Sequence, residues 1–178
     1  MKYFEELKKS MSYLAKTKKT IFIGQAVEYP GTAITNTLKE IPKKKLYELP
    51  VCEEMQMGIS IGLVMQNFVP ISIYPRFNFL ILSMNQLVNH LDKLNQMTKN
   101  KFKSKVIIRT SIGSERPLHP QYQHVGDFTL AISQMCPSLN VVRLDEPKDI
   151  FKSYKKAIDP KFNKSSIIIE YGDYYNEK

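Results

Sequence analysis

Tryptophan is absent from the chain, and cysteine occurs only twice, at Cys52 and Cys136. Two thiols so far apart form neither a disulfide framework nor the close pair of a metal-binding loop, and they suit a reducing compartment. No apolar run comes near the roughly 20 residues of a membrane span. The opening stretch, MKYFEELKKSMSYLAK, mixes acids with lysines where a secretory leader would be apolar. The expected location is the cytoplasm, with no membrane partner. G-x-G-x-x-G, P-loop, G-x-S-x-G and C-x-x-C signatures are all missing, so nothing in the chain reads as a self-contained catalytic machine. Acids are the scarcer charge, 17 against 26 Lys and Arg, for a net charge of +9. That excess could serve a nucleic acid. The lysines, however, fall in small groups (Lys43 to Lys45; Lys99, Lys101, Lys103, Lys105; Lys152, Lys155, Lys156) at the ends of elements, where solvated faces lie. No nucleic-acid partner is expected.

What is present is enough to build a core. At 178 residues and 43% hydrophobic, the chain suits one globular domain without a linker or repeat. Phe4, Leu7, Met11 and Leu14 form a helical stripe, read as a lid-like first helix. Strands are predicted at Thr20–Gly24, Val69–Tyr74, Lys105–Ser111, Asn140–Leu144 and Ser166–Tyr171, all short runs rich in β-branched residues. Helices are predicted at about Glu53–Gln66, Leu80–Met97, Val125–Met135 and Pro147–Ile158. Alternating strands and helices imply an α/β fold with a doubly wound, mostly parallel sheet. The irregular stretch Ser111–Gly126 follows a strand end, the place where such sheets bind ligands.

Few residues carry chemistry. Gly58 and Gly62 stand four apart within the helix that Glu53 and Glu54 begin. Each glycine costs a helix about 1 kcal/mol, so the pair implies close approach of another backbone. A carboxylate at the helix start can serve the exposed N–H groups and the dipole, or something more. His119 and His124 lie in the long loop without a carboxylate or thiol at ligand spacing. An acid, base or hydrogen-bond donor toward a substrate suits a loop imidazole better than a metal does. His90 reads as a structural histidine.

Four segments, LPVCEEMQMGISIGL, YPRFNFLILSMNQLVNHLDK, QYQHVGDF and CPSLNVV, come in the order and spacing of the pyrimidine-binding domain of thiamine-diphosphate enzymes. From about Ile21 to Tyr171 the chain resembles that family, in particular the beta chain of pyruvate dehydrogenase-type decarboxylating components and the matching domain of transketolase. The resemblance implies that Glu53, spaced from Pro50 and Gly58 as in the family, hydrogen-bonds a ring nitrogen of the cofactor's aminopyrimidine. The ring then adopts the imino form that takes the thiazolium proton. Phe79 would stack on the pyrimidine, Met57 would join it in the cofactor pocket, and His124 would face substrate, with His119 as the fallback.

The departures from the family shape the rest of the expectation. The Gly-Asp-Gly motif followed at a distance by Asn, which grips the diphosphate and Mg²⁺ in these enzymes, is absent, and YGDYY does not replace it. Residues 1–178 are therefore read as one pyrimidine-binding domain, without a diphosphate-binding domain or a C-terminal transketolase-type domain. The implied partner is an alpha-type subunit carrying the missing motif and most of the Mg²⁺ contacts, in a heterotetramer. The implied function is activation of thiamine diphosphate for making or breaking a bond next to a carbonyl, of the 2-oxo acid decarboxylation type. Transketolase-like ketol transfer and a non-catalytic assembly role are the alternatives.

Overall fold

The computed structural model describes residues 2–30, 32–102, 105–113, 115 and 119–176. Lys103 and part of the Ser111–Gly126 loop lie outside the described residues. Six strands, β1 (Thr20–Gly24), β2 (Leu46–Glu48), β3 (Val69–Tyr74), β4 (Ile107–Ile112), β5 (Asn140–Arg143) and β6 (Ser166–Tyr171), form one sheet in the order β2-β1-β3-β4-β6-β5. Every neighbouring pair is parallel. The helices are α1 (Tyr3–Ala15), α2 (Ala33–Asn36), α3 (Glu53–Met65), α4 (Phe77–Leu80), α5 (Leu94–Met97), α6 (Thr129–Met135) and α7 (Pro147–Ile158).

The β-branched runs explain the layering. Successive side chains on a strand point to opposite faces, so a strand covered on both sides must be apolar throughout. Ile71, Ile73, Ile107 and Ile168 join one core with Leu7, Met11 and Leu14 of α1 and Tyr154 of α7. Tyr74, Ile108, Ile112, Ile167 and Ile169 join the other, with Met57 and Ile61 of α3 and Ile132 of α6. The sheet is doubly wound, as expected. No helix among the described residues is long and apolar enough to cross a membrane.

Crossover helices between parallel strands run back along the sheet, so their C-termini collect at the edge where the strands begin. Lysines collect there too: Lys16, Lys18 and Lys19 between α1 and β1, Lys99 and Lys101 after α5, and Lys155 and Lys156 in the last turn of α7. They complement the negative ends of the helix dipoles. Two are built in. Lys45 Nζ donates to the Thr17 carbonyl at 2.6 Å, and Lys105 Nζ donates to the Phe162 carbonyl at 2.6 Å. At the opposite edge lie the helix N-termini with Glu5, Glu6, Glu53, Glu54 and Asp149. The net charge is thus segregated along the strand direction.

Several expectations need correction. α1 is not a lid: Tyr3, Leu7, Met11 and Leu14 are buried, and the Tyr3 hydroxyl donates to the Leu144 carbonyl at 2.9 Å. β2 was not expected, because three residues carry no periodic signal. The helix predicted at Leu80–Met97 starts at Phe77 and changes pitch, with a 3-10 turn at Ile81–Ser83 and a wide π turn at Gln86–Leu91. The wide turn delivers Asp92, whose carboxylate accepts the Ser138 N–H at 2.8 Å. The helix predicted from Val125 begins at Thr129, where Asp127 accepts the Thr129 N–H at 2.9 Å. His90 is exposed rather than a packed structural group. Gly58 and Gly62 meet no other backbone of this chain, since a Cβ on either would find nothing within 4 Å.

On the α1 and α7 face, Arg109 and Glu170 are both 0% exposed and form a two-pronged pair, Nε to Oε1 at 2.6 Å and Nη2 to Oε2 at 2.9 Å. Arg109 also donates to Thr37 Oγ1 at 2.8 Å. The hydroxyls of Tyr154 and Tyr175 donate to Glu170. Burial, then the charge of Glu170, pushes both tyrosines well above their ordinary range and keeps them protonated as donors. Burial opposes the charge on Arg109, but Glu170, Tyr154 and Tyr175 together outweigh it and raise its pKa. Removing one member of such a pair strands the other charge. Glu170→Gln is expected to destabilise the fold by about 3–5 kcal/mol in urea unfolding. Tyr154→Phe, which removes one hydrogen bond to a charged group, should cost about 1.5–3 kcal/mol.

Candidate functional site

The site lies beyond the carboxyl ends of β1, β3 and β4, and its first half is built around one carbonyl. Ile73 O, near the end of β3, accepts the Gln25 N–H at 3.4 Å and the Gln56 side-chain amide at 2.9 Å. Gly24 ends β1 beside it with φ +139°, and a Cβ there would stand 2.2 Å from that oxygen. Only glycine fits, which explains the residue that closes the first strand. Gln56 also donates to Ser72 Oγ at 3.1 Å, and Ser60 Oγ stands 3.0 Å from the same hydroxyl. The start of α3 is therefore pinned to the sheet by polar contacts that are themselves buried.

That anchoring sets Glu53. The residue is 4% exposed, and its Oε1 accepts the Gln25 side-chain amide at 3.0 Å. Its backbone carbonyl accepts the Tyr74 hydroxyl at 3.3 Å. The second carboxylate oxygen accepts no hydrogen bond among the described residues. Glu54 differs in kind. It is exposed, and Asn85 Nδ2 at 2.9 Å, then Gln86, donate to it and hold its carboxyl below the ordinary range. The two adjacent acids are thus separated into a buried one with a spare oxygen and a surface one already satisfied.

The second half is a zipper between two of the motifs. Arg76 Nη1 donates to the carbonyls of Gly113 at 2.9 Å and His124 at 3.3 Å. Asn78 Oδ1 accepts the Gly126 N–H at 3.3 Å. Phe77 meets Phe128 edge to face, with ring centroids 5.5 Å apart, and Phe79 meets His124 at 5.2 Å. Burial lowers the pKa of Arg76, with Asp173 pulling the other way. His124 is half-buried at the end of a 3-10 turn, Gln121–His124, and its Nδ1 is buried with no partner among the described residues.

Of the residues singled out from the sequence, Phe79 and His124 come together and Glu53 stands at the same edge of the sheet. His119 does not join them: its Nδ1 accepts the Gln121 N–H at 3.0 Å and its Nε2 lies 3.6 Å from Glu115. Met57 is 0% exposed in the core under α3, so in this chain it presents no surface to a ligand. Gln25, Arg76 and Asn78 were not singled out. The signal for Gln25 was its place after the glycine that ends a strand; the other two sit inside the quoted RFNF motif. Among the described residues no three His, Cys, Asp or Glu side chains gather as a metal-ligand set. Chemically, the edge offers a carboxylate able to share a proton with a ring nitrogen, an aromatic face and an imidazole.

Comparison with known proteins bears on the family and the fold. The family model for the transketolase pyrimidine-binding domain matches residues 5–176. The chain is 26% identical over 180 residues to the pyruvate dehydrogenase E1 component subunit beta of Gracilaria tenuistipitata var. liui, covering 98% of this chain and 54% of that relative. It is 26% identical over 132 residues to the mitochondrial pyruvate dehydrogenase E1 component subunit beta of Ascaris suum, covering 72% and 36% respectively. The chain thus spans about half the length, or less, of these curated relatives. Among solved structures, a split gene transketolase described as an inactive beta4 tetramer superposes with a TM-score of 0.72 at 15% identity, over 94% of this chain and 50% of that one. A putative thiamin diphosphate-dependent enzyme from Mycobacterium smegmatis superposes with a TM-score of 0.61 at 13% identity, over 94% and 31%. Both likenesses are of fold.

The zipper can be tested without any ligand. A Cβ at Gly126 would stand 2.4 Å from the Phe128 ring. Gly126→Ala is expected to displace Phe128 from Phe77, to cost about 1–3 kcal/mol in thermal unfolding, and to raise amide hydrogen exchange across residues 121–128. Unchanged exchange there would show that the two motifs are not mechanically linked.

Proposed function

Since the chain belongs to the transketolase pyrimidine-binding domain family, we propose that it supplies the pyrimidine-binding half of the active site of a split thiamine-diphosphate-dependent enzyme. The observation that carries this is Glu53: buried at the start of α3, held through one oxygen by Gln25, its other oxygen left without a partner among the described residues. The residues fit the cofactor's pyrimidine end. Glu53 would hold or share a proton at a ring nitrogen, Phe79 would offer its face to the ring, and His124, packed against Phe79, would face the substrate. Thiamine diphosphate, when bound, supplies the nucleophilic carbon and the electron sink for cleaving or forming a bond next to a carbonyl. The pyruvate dehydrogenase subunits among the relatives favour a 2-oxo acid as substrate.

The diphosphate and Mg²⁺ fall to a partner chain carrying the Gly-Asp-Gly to Asn motif. The lysine-rich edge supports this division, since it is where the strands begin, opposite the site. The outward face of α3 supports a contact surface for assembly: Met55 and Ile59 are 39% and 38% exposed beside Gly58 and Gly62. Small residues on a helix face let a second helix come close. On this reading the domain works in a heterotetramer in the cytoplasm.

Tagged chain should copurify with the partner subunit. In the reconstituted complex, Glu53→Gln should slow hydrogen–deuterium exchange at the thiazolium C2 by about a hundredfold or more, while Glu54→Gln leaves it unchanged. Equal exchange in the Glu53 variant would remove its assigned role, and tight binding of thiamine diphosphate and Mg²⁺ by the isolated monomer would overturn the split site. Gly62→Leu should leave the melting temperature of the isolated chain intact and weaken assembly in sedimentation.

A further inference from the structure

β2 is a three-residue edge strand, and Glu48 ends it opposite Gly24 of β1. Its carboxylate gathers three consecutive backbone donors: Oε1 accepts the Ala26 N–H at 2.8 Å, and Oε2 accepts those of Val27 at 2.7 Å and Glu28 at 2.8 Å. Successive N–H groups converging on one point form an anion-binding nest. The turn that makes it is not free of cost, because Ala26 sits at φ +56°, a conformation that side chains other than glycine rarely adopt. The same loop is held from its carbonyl side by Thr35 Oγ1, which donates to Ala26 O at 2.7 Å and Tyr29 O at 3.2 Å. The bonds to the Glu48 carboxylate are charge-assisted and, at 2.7–2.8 Å, of the strong kind. Here the nest is filled by the chain's own carboxylate, so this loop is not a seat for the cofactor's phosphates.

The residue immediately before the nest is Gln25, whose backbone N–H is tied to Ile73 O and whose side-chain amide holds Glu53. We propose that Glu48 is a positioning residue for the cofactor-activating acid: by clamping residues 26–28 it fixes the Gln25 amide on Glu53 Oε1 and so keeps the second oxygen of Glu53 turned to the pyrimidine. The inference rests on the proposed role of Glu53. It adds that a second carboxylate, which touches neither cofactor nor substrate, sets how the first presents its oxygens. A loop clamp with a purely structural role would change stability alone, whereas a clamp acting through Gln25 changes chemistry in a way that depends on Gln25.

The test is a double-mutant cycle in the reconstituted complex, read by hydrogen–deuterium exchange at the thiazolium C2 of bound thiamine diphosphate. Glu48→Gln and Gln25→Ala should each slow exchange about tenfold, and the double variant should be no slower than Gln25→Ala alone. Amide exchange at residues 26–28 should rise in Glu48→Gln and not in Gln25→Ala. Wild-type C2 exchange in Glu48→Gln, or a double variant slowed by the product of the two effects, overturns the proposal. Should Glu48→Gln fail to fold, Glu48→Asp, which keeps the charge and shortens the reach, takes its place in the cycle, with the same non-additivity expected and a wild-type rate again overturning it. Failure of the underlying reading is distinguishable, since it appears as unchanged exchange in Glu53→Gln. If that variant loses exchange and Glu48→Gln does not, only the positioning role falls.

Discussion

The Ile73 carbonyl is the point on which the site depends. It is taken at once by a backbone N–H from the end of β1 and by the Gln56 side chain from the second turn of α3. A strand carbonyl shared in this way holds two neighbouring chain segments at one distance, and that distance leaves no room for a side chain on Gly24. From this constraint follow the turn at Gln25, the seat of α3 against the sheet, and the meeting of the Gln25 amide with Glu53. The carboxylate acquires its half-satisfied state from backbone geometry rather than from a neighbouring charge.

Stability and chemistry are placed on opposite faces of the sheet. The Arg109 and Glu170 pair, with Thr37, Tyr154 and Tyr175 around it, ties α2, α7 and the segment after β6 to the strands, on the face that α1 covers. α3 and the zipped motifs occupy the other face. Parallel topology adds a second separation, along the strands: helix N-termini and most of their acids gather at the edge where such sheets bind ligands, helix C-termini and many lysines at the other. Many of the lysines behind the net charge of +9 therefore stand at the edge away from the site, where they complement helix C-termini.

Most of the fold was legible because a parallel sheet covered on both faces demands continuous β-branched runs. Val69–Tyr74 and Ser166–Tyr171 begin and end where such runs do. What escaped were elements whose limits are set by partners rather than by periodicity. β2 exists because β1 offers it an edge. The segment 77–97 changes pitch so that Leu87, Leu91 and Leu94 stay buried while Asp92 reaches Ser138. α6 starts late because Gly126 is tied to Asn78 and Asp127 binds the Thr129 N–H.

For the site, spacing along one helix is local information, and the sequence by itself determined that an acid stands at the start of a glycine-marked helix and that an aromatic motif and a histidine motif follow. It also determined the family. The family spacing also picked Glu53 over Glu54 and His124 over His119; the contacts that turn one acid inward and bring one histidine to Phe79 were decided only in the tertiary structure. Those choices rest on contacts between residues distant in sequence: Gln25 with Glu53, Asn85 with Glu54, and Phe79 with His124. No local pattern encodes them, because each depends on which strand ends a parallel sheet brings side by side.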